Sequence, residues 1–401
     1  MRPRSAPPNL PNTVLADPLE LANGMAAAIE GAAGETESRR EMSPTVFALL
    51  QEAGFYRLLL PRTVDGYELT PSRFAQVIER IARADGSTAW CLCQAGGCAM
   101  SAAFLAPPVA QEIFGPRRTV LAWGAGPKGR AITVSGGYEV TGAWMFASGG
   151  RQANWLGAHV PVCGPDGTPL QAADGTAQVR TLLFPASDAG MTDVWHVMGL
   201  KGTGSDNYAV ERLFVPEERS FVYQGQPHPS QRGVLYCFPT TLLYASGFAC
   251  VAFGIARGML DALLDLATRK VPHNQKDTLR DSAIVQSQIA QAEAKLGSAR
   301  MYLLRSLEDI ERDLQAQSQP ALQAEQRVRI RLAATFGIHQ AKEVADIAYR
   351  LAGSTAIFEN GPFERRFRDI HAVTQQLQAR QSHYETVGQF LLGLVDNPAN
   401  H

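Results

Sequence analysis

The first hundred residues carry apolar side chains at helical spacing. One stripe lies within residues 19–29 and a second within residues 74–82. Apolar residues that return every three or four positions predict amphipathic helices. The stretch 87–105 is small and apolar on all sides, which predicts a helix buried against others. Residues 19–115 are therefore predicted to form an N-terminal helical domain, preceded by a Pro-rich, flexible segment at 1–18.

The pattern changes near residue 116 to one typical of strands. Residues 138–141 alternate between apolar and polar side chains, and residues 155–162 and 180–185 are strand-like runs. Gly, Thr, Val and turn pairs such as Asp-Gly are frequent between them. Residues 116–225 are therefore predicted to form a middle β domain set inside a helical protein.

Helical spacing returns after the strands. A long amphipathic helix is predicted over residues 282–314, and a second over 325–351, closed by Gly353. A third is predicted from beyond residue 362 towards residue 394. Long helices joined by short turns predict a C-terminal helical bundle over residues 226–401.

Charge and composition exclude several classes of function. The chain has 401 residues and a formal net charge of −1, so it has no positive field for nucleic acid or an anionic membrane. We find no apolar run of about 18 residues, the length of a membrane span. The first residues lack the apolar core of a secretory signal. We therefore expect a cytoplasmic protein that does not cross a membrane.

The six cysteines are expected to be reduced thiols, as in most cytosolic proteins. Cys91 and Cys93 are one residue closer together than in the Cys-x-x-Cys spacing of zinc sites. No His lies close enough in sequence to complete a ligand set, so no metal site is expected.

Four segments stand out by their order along the chain. The first, at 142–150, contains Trp-Met-Phe-Ala-Ser-Gly, and the second, at 198–205, is Met-Gly-Leu-Lys-Gly-Thr-Gly-Ser. A third lies in a predicted helix at 286–300, and the fourth, at 351–354, follows the end of the next one. With the helix, strand, helix order, they resemble the acyl-CoA dehydrogenase superfamily over about residues 20–395. The resemblance implies an α+β fold with an N-terminal helical domain, a middle β-barrel or sandwich and a C-terminal four-helix bundle, assembled as a homotetramer.

A carboxylate is missing where a dehydrogenase needs its base. Residues 365–371 are Arg-Arg-Phe-Arg-Asp-Ile-His, and dehydrogenases of the superfamily carry a Glu eight residues after the Asp of this Arg-Asp pair. Here that position is Leu377, which cannot take a proton from carbon. The resemblance therefore points to the oxygenase components of two-component flavin-dependent monooxygenases, similar to those acting on 4-hydroxyphenylacetate, secosteroid phenols and dibenzothiophene.

That branch of the superfamily implies hydroxylation of a small, aromatic or polycyclic substrate. Reduced FMN or FAD would diffuse from a separate flavin reductase, because the sequence shows no dinucleotide fingerprint of its own. O2 is the implied co-substrate, and the resemblance implies a flavin C4a-hydroperoxide as the oxygen donor.

The resemblance assigns flavin contacts to both halves of the chain. Ser148 would lie beside flavin N5, where a small hydroxyl can hydrogen-bond without crowding the ring. Arg269 is similar to an arginine that relatives extend across a subunit interface to the flavin phosphate, which the guanidinium fork can bind in two places. The other implied cofactor contacts are Trp123, Gly124, Phe146, Gly353 and Ser354.

Two polar residues near the end of the chain are candidate catalytic groups besides Ser148. His371 is one, because histidine titrates near neutral pH and suits general base catalysis. Gln376 is the other, at the position seven residues after Asp369 where relatives often carry the working His. Gln can hold a substrate by hydrogen bonds but cannot take a proton. An apolar substrate pocket is expected from Trp90, Trp144, Tyr244 and Phe248.

Two other functions remain open at this point. An acyl-CoA dehydrogenase or oxidase would need Glu385 to reach the flavin, although Glu385 lies sixteen residues after Asp369 instead of eight. A non-catalytic scaffold protein that keeps the fold would bind no flavin, or would bind it without reacting with oxygen.

Overall fold

The computed structural model describes residues 16–126, 129–172 and 175–396. The predicted flexible segment at 1–18 lies almost entirely outside these ranges. Helices occupy the described chain up to residue 114: α1 Pro18–Gly31, α2 Ala33–Arg39, α3 Pro44–Glu52, α4 Pro71–Ala84, α5 Gly86–Ala99 and α6 Pro107–Phe114.

Capping side chains determine where several of these helices begin. Asp17, Ser43 and Thr70 each precede a proline, and each accepts a hydrogen bond from a backbone N–H of the first turn. Asp85 does the same for α5, whose Thr88 N–H donates to its carboxylate at 2.7 Å. These caps satisfy donors that have no partner within the helix, and proline fits the first helical position.

The middle of the chain forms a mixed sheet. Its described strands are β1 Leu121–Trp123, β2 Arg130–Val134, β3 Gly137–Ala147, β4 Trp155–Cys163, β5 Val179–Pro185, β6 Gly190–Thr192, β7 Asp206–Pro216 and β8 Ser220–Val222. Their order is β6-β7-β3-β2-β4-β5-β8, and β1 pairs with β4 outside this path. The β1–β4 and β2–β4 pairs are parallel and the others antiparallel. The sheet has its own apolar core, centred on Trp144 and Tyr208.

Long helices form the last part of the chain. They are α7 Thr240–Ala267, α8 Ala283–Gln315, α9 Ala324–Ala352, α10 Glu364–Val373 and α11 Ser382–Leu391. Helix α7 packs on α4 and α9. The helices on either side of the sheet in sequence therefore share one apolar core, which runs from Ala22 to Ala379.

Helix α7 corrects one expectation. By length and composition alone its 28 residues could cross a membrane, with a mean hydropathy of 1.6 over the best window. The prediction that no apolar stretch reaches this length was therefore wrong. Because 78% of that window is buried inside the protein, the apolar surface of α7 is accounted for by packing against neighbouring helices.

The third C-terminal helix was predicted as one continuous element, but it is interrupted. Helix α10 ends at Val373, and Gln376 has an extended backbone before a short 3₁₀ turn at Leu377–Ala379. The interruption is stabilised from α9, where Thr335 Oγ1 donates to the Gln378 carbonyl at 3.1 Å and His339 Nε2 lies 2.9 Å from the Ala379 carbonyl. Carbonyls that lose their helical partners thus find others.

Candidate active site

A large cavity lies where the sheet meets the helices. Its volume is about 1860 Å³, against the 300–1,000 Å³ or so of an ordinary small-molecule site, so it has room for more than one ligand. Helices α5 and α7 form one wall, the sheet a second, and α9 with the segment 375–387 a third. Of the predicted site residues, it is lined by Trp90, Trp123, Gly124, Phe146, Ser148, Tyr244, Phe248 and Gln376.

Ser148 follows the irregular end of β3. The pairing of β3 with β7 shifts register between Trp144 and Ala147, and Phe146 has a left-handed backbone with φ of 63°. This bulge turns Phe146 out of the sheet, so its side chain is 59% exposed and lines the cavity. Ser148 is buried, and the indole N–H of Trp90 donates to its hydroxyl at 3.0 Å.

Two further hydroxyl groups, those of Ser205 and Thr203, continue from Ser148 in a hydrogen-bonded chain. Thr203 Oγ1 donates to the Leu200 carbonyl at 2.9 Å. Because each hydroxyl carries one proton, Ser205 must donate to Thr203, at 2.7 Å, and Ser148 to Ser205, also at 2.7 Å. Ser148 therefore has no proton left for a ligand, and its free lone pair is an acceptor.

The chain of hydroxyls ends on a peptide that is held from both sides. Leu200 has a left-handed backbone with φ of 52°. Its carbonyl also accepts the indole N–H of Trp195 at 3.0 Å, and its amide donates to Asp369 Oδ1 at 2.6 Å. A non-glycine residue in this conformation needs such surrounding support. Asp369 of α10 thus fixes the segment that positions Ser148.

The Asp369 carboxyl lies in an unusual environment. Burial, and secondarily the nearby Asp85 carboxylate, raise the pKa of Asp369 to about 7, although the Leu200 amide favours the charged form. Arg368 does not pair with Asp369. Instead it bonds Glu364 at 2.7 Å and the Met198 carbonyl at 2.6 Å, which attaches α10 to the same segment a second time.

Aromatic rings form the wall between α5 and α7. Trp90 stacks on Phe248 with ring centroids 3.9 Å apart, and Phe248 stacks on Tyr244 at 5.6 Å. The Tyr244 hydroxyl accepts a hydrogen bond from the Gln94 side chain at 3.1 Å. A continuous aromatic surface with a polar end is suited to a flat apolar ligand.

A second aromatic group lines the sheet side. Trp123 meets the edge of the His159 ring at 4.7 Å, and His159 Nδ1 lies 2.8 Å from Thr181 Oγ1. Burial lowers the pKa of His159 to about 4, so the ring is neutral at physiological pH. His159 was not among the predicted site residues, because its position in a strand gave no signal of the cavity.

The third wall is polar and comes from α9 and the segment after α10. Gln376 accepts the Gln378 amide N–H at 2.8 Å through its side-chain oxygen, and its buried Nε2 has no hydrogen-bond partner among the described residues. Arg331 donates to the side-chain oxygen of Gln378. His383 is buried here too, with Nε2 at 2.8 Å from the Leu377 carbonyl. Sequence reasoning named Gln376 but missed Arg331 and His383 as lining residues.

Among the described residues, the charged side chains that line the cavity are all positive. Among the described residues that line it, four are arginines and none is Asp or Glu: Arg232, Arg327, Arg331 and Arg380. Glu385 is exposed on α11 and does not line the cavity. No carboxylate of the described residues is therefore placed to take a proton from a ligand there.

Two predicted site residues are corrected by their positions. Trp144, expected to contact substrate, is fully buried in the core of the sheet and stacks on Tyr208 at 5.2 Å. His371, expected in the active site, faces α9 instead of the cavity. Its Nδ1 lies 2.7 Å from the Phe367 carbonyl and its Nε2 3.4 Å from Asp346 Oδ1. Both have structural neighbours that account for them.

Three predicted cofactor contacts lie outside the cavity of this chain. Arg269 is exposed and pairs with Asp265 at 2.5 Å. Gly353 ends α9 with φ of 56°, and Ser354 is exposed beside it. Because the resemblance places Arg269 at a subunit interface, its role towards flavin stays a prediction.

The cysteines near the cavity are buried thiols. Cys91, Cys93 and Cys98 are free, and burial raises the pKa of Cys98 to about 12, so that it stays protonated. Within residues 16–126, 129–172 and 175–396, no group of three or more His, Cys, Asp or Glu side chains could hold a metal ion.

The residues present fit a flavin. The cavity combines a flat aromatic surface, a hydroxyl acceptor at Ser148 and a buried amide donor at Gln376 Nε2 that lacks a partner. A buried donor without a partner costs free energy unless a ligand satisfies it. Ser148 could contact a ring N–H, and Trp123 and Phe146 could contact the faces or edges of the ring.

Comparison with known proteins agrees with this site. Residues 246–381 match the family model described as Acyl-CoA dehydrogenase, C-terminal domain. Indole-3-acetate monooxygenase of Pseudomonas putida is 31% identical over 364 residues, covering 90% of each chain. The flavin-dependent monooxygenase, oxygenase subunit HsaA, of Rhodococcus jostii (strain RHA1) is 29% identical over 348 residues, covering 85% of this chain and 88% of the relative. The crystal structure of 3-HSA hydroxylase from Rhodococcus sp. RHA1 has a TM-score of 0.85 and 26% identity, covering 94% of this chain and 97% of that chain.

The fold and the cavity define an oxidoreductase of the acyl-CoA dehydrogenase fold, which confirms the predicted architecture. Within that superfamily the chain belongs to the flavin-dependent monooxygenases. The predicted enzyme class is thereby confirmed as well. One further relative is the FADH2-dependent resorcinol hydroxylase, oxygenase component, of Rhizobium sp. (strain MTP-10005), 26% identical over 395 residues that cover 92% of this chain and 93% of the relative.

Proposed function

We propose that this chain is the oxygenase component of a two-component system and hydroxylates a small aromatic molecule with reduced FMN or FADH2 and O2. The observation that carries the proposal is a cavity large enough for flavin and substrate together, with an aromatic wall and no lining carboxylate among the described residues. The related indole-3-acetate monooxygenase and resorcinol hydroxylase support a single aromatic ring system as substrate.

Ser148 suits the reduced form of the cofactor. Reduced flavin carries a hydrogen on N5, whereas the oxidised ring has a lone pair there. Ser148 donates its own proton to Ser205 and can accept the N5 hydrogen, so the hydroxyl chain favours reduced flavin at this atom. When bound, reduced flavin would supply the two electrons that let one oxygen atom enter the substrate while the other leaves as water.

The aromatic wall would hold the substrate. Trp90, Phe248 and Tyr244 present stacked rings, which favour offset stacking with another flat ring. Trp90 also donates to Ser148, so one residue connects the substrate wall to the hydroxyl that faces the flavin. This arrangement would orient the substrate ring relative to the cofactor and exclude water.

Two alternatives are less well supported. An acyl-CoA dehydrogenase or oxidase needs a carboxylate base, but Leu377 stands at the family position and Glu385 is exposed outside the cavity. A non-catalytic scaffold would not need a buried polar group such as Gln376 Nε2 that is unpaired among the described residues.

We also propose a homotetramer whose contacts involve the C-terminal helices. Large apolar side chains are exposed there, including Ile357 at 60%, Phe358 at 59%, Leu391 at 71% and Leu392 at 77%. Large apolar side chains that are exposed in one chain are often covered at subunit contacts. Such contacts would also allow Arg269 of one chain to approach the flavin phosphate of another.

A cytoplasmic location and a separate flavin reductase complete the proposal. The cysteines of the described residues are free thiols, which supports a reducing compartment. The oxygenase components and subunits among the relatives support an external source of reduced flavin.

Rapid mixing tests the proposed function. The protein is loaded without oxygen with reduced FMN or FAD and mixed with oxygenated buffer. We expect a near-ultraviolet absorbance that forms before oxidised flavin and persists for seconds. Oxidation at the rate of free flavin would overturn the proposal, and bleaching of bound oxidised flavin by an acyl-CoA would support the dehydrogenase instead.

A further inference from the structure

Arg331 is a buried cation for which the described residues provide no counter-charge. Its side chain lines the cavity from α9, and the residue is 5% exposed. Among the described residues its guanidinium makes one hydrogen bond, from Nη1 to the neutral side-chain oxygen of Gln378, while Nε is buried without a partner. Since burial alone lowers the pKa of Arg331 to about 10, the group stays charged at physiological pH.

A buried charge of this kind is costly unless a partner meets it. Elsewhere on α9 the protein supplies such partners, since Arg329 bonds Asp309 at 3.1 Å. The cavity around Arg331 has no lining Asp or Glu among the described residues. The guanidinium has further N–H donors besides the one on Gln378, in a planar arrangement that matches a carboxylate.

We propose that Arg331 binds a carboxylate on the substrate, so that this enzyme acts on an aromatic carboxylic acid. The proposal rests on the proposed function and names its substrate class. The flavin phosphate is another anion that this chemistry could serve. The other lining arginines suit a strongly hydrated phosphate better, because Arg232 and Arg380 are exposed and Arg327 is half-buried, whereas Arg331 is buried.

Calorimetric titration tests the proposal without turnover. The protein carrying oxidised FMN is titrated with indole-3-acetate and, separately, with the neutral indole-3-acetamide. We expect the acid to bind more tightly than the amide. Arg331→Met should lower the affinity for the acid by roughly 10- to 100-fold and leave the affinity for the amide nearly unchanged. Arg331→Lys, which keeps the charge without the fork, should recover part of the loss.

Arg329→Met is the matched control, because it removes the same charge from the same helix outside the cavity. It should bind the acid as the unmodified protein does. Equal affinity for acid and amide in the unmodified protein, or no binding of the acid, would overturn the proposal. So would an Arg331→Met protein that loses FMN affinity but keeps the preference for the acid, which would assign the guanidinium to the flavin phosphate.

This outcome is separable from failure of the proposed function. Rapid mixing with oxygen reports on reduced flavin and needs no carboxylate. If the acid binds through Arg331 but the protein does not show the oxygen reaction, the carboxylate site is supported and only the proposed hydroxylation is overturned.

Discussion

At the scale of single residues, the proton order in the hydroxyl chain has a measurable consequence. Ser205→Ala removes the acceptor for the Ser148 proton, which then becomes available to an unprotonated flavin N5. We predict that oxidised FMN binds several-fold more tightly to this variant and reduced FMN more weakly, a change of about 1 kcal/mol for one hydrogen bond. Fluorescence titration with oxidised FMN and anaerobic titration with reduced FMN measure the ratio of the two affinities.

Ser246→Ala is the control for that experiment, since Ser246 is buried but bonds the Leu242 and Leu243 carbonyls of its own helix. It should leave the ratio of the two affinities unchanged. An unchanged ratio in Ser205→Ala as well would show that Ser148 does not act on N5.

The Asp369 carboxyl makes stability depend on pH. Its folded-state pKa of about 7 lies above the ordinary 3.8, so the folded protein holds a proton that the unfolded chain releases. The free energy of unfolding should therefore fall as pH rises from about 4 to about 7 and then level off, by on the order of a few kcal/mol. Asp369→Asn keeps an acceptor for Leu200 and should flatten this dependence.

Urea unfolding midpoints at about pH 5 and pH 8 provide the test. The exposed Glu385→Gln is the control and should keep the original pH dependence. A variant Asp369→Asn with the same pH dependence as the unmodified protein would show that another group is responsible.

Motifs predicted the cavity-lining residues of the sheet better than those of the helices. Ser148 and Phe146 belong to the segment 142–150, which has a recognisable order of residues, and both line the cavity together with Trp123 of β1. Trp144 was misplaced because the bulge before Ala147 breaks the alternation of faces that a regular strand would keep. Arg331 could not be found from the sequence, since one Arg on an amphipathic helix looks like a solvated charge.

At the scale of elements, small residues allow the helices around the cavity to approach closely. A Cβ at Gly254 of α7 would lie 2.4 Å from the Glu79 carbonyl oxygen of α4. Gly254→Ala must push two packed helices apart, and we predict a loss of about 1–3 kcal/mol in the free energy of unfolding. Gly297→Ala on α8 meets nothing within 4 Å and should instead gain up to about 1 kcal/mol.

Denaturant unfolding of both variants and of the unmodified protein measures the two changes in the free energy of unfolding. Equal effects of the two substitutions would mean that helix propensity, and not the close approach of α4 and α7, determines the outcome.

Helix starts were more predictable than the interruption after α10. Starts depend on neighbours in sequence, such as Thr70 before Pro71. The interruption depends on Thr335 and His339, some forty residues earlier in the chain, which bond the freed carbonyls. No local pattern contains that information, so the segment with Gln376 was predicted as helix although it is extended.

At the scale of the whole molecule, the exposed apolar residues of the C-terminal helices predict assembly. Four chains of 43.4 kDa give about 174 kDa, and we expect sedimentation equilibrium at micromolar concentration to find this mass. The double variant Leu391→Asp with Leu392→Asp should yield smaller species, because charge would enter an apolar contact. Val134→Asp, on the sheet, is the control. A monomeric unmodified protein would contradict the prediction.

The Leu200 peptide connects parts of the molecule that lie far apart in sequence. Its carbonyl ends the hydroxyl chain from Ser148, and its amide is held by Asp369. Anyone recombining this enzyme with a relative should therefore transplant residues 198–205 and the helix Glu364–Val373 from the same parent. We expect a chimera that exchanges only one of them to misplace the Leu200 peptide and to lose the proposed preference for reduced flavin, even with every cavity-lining side chain retained.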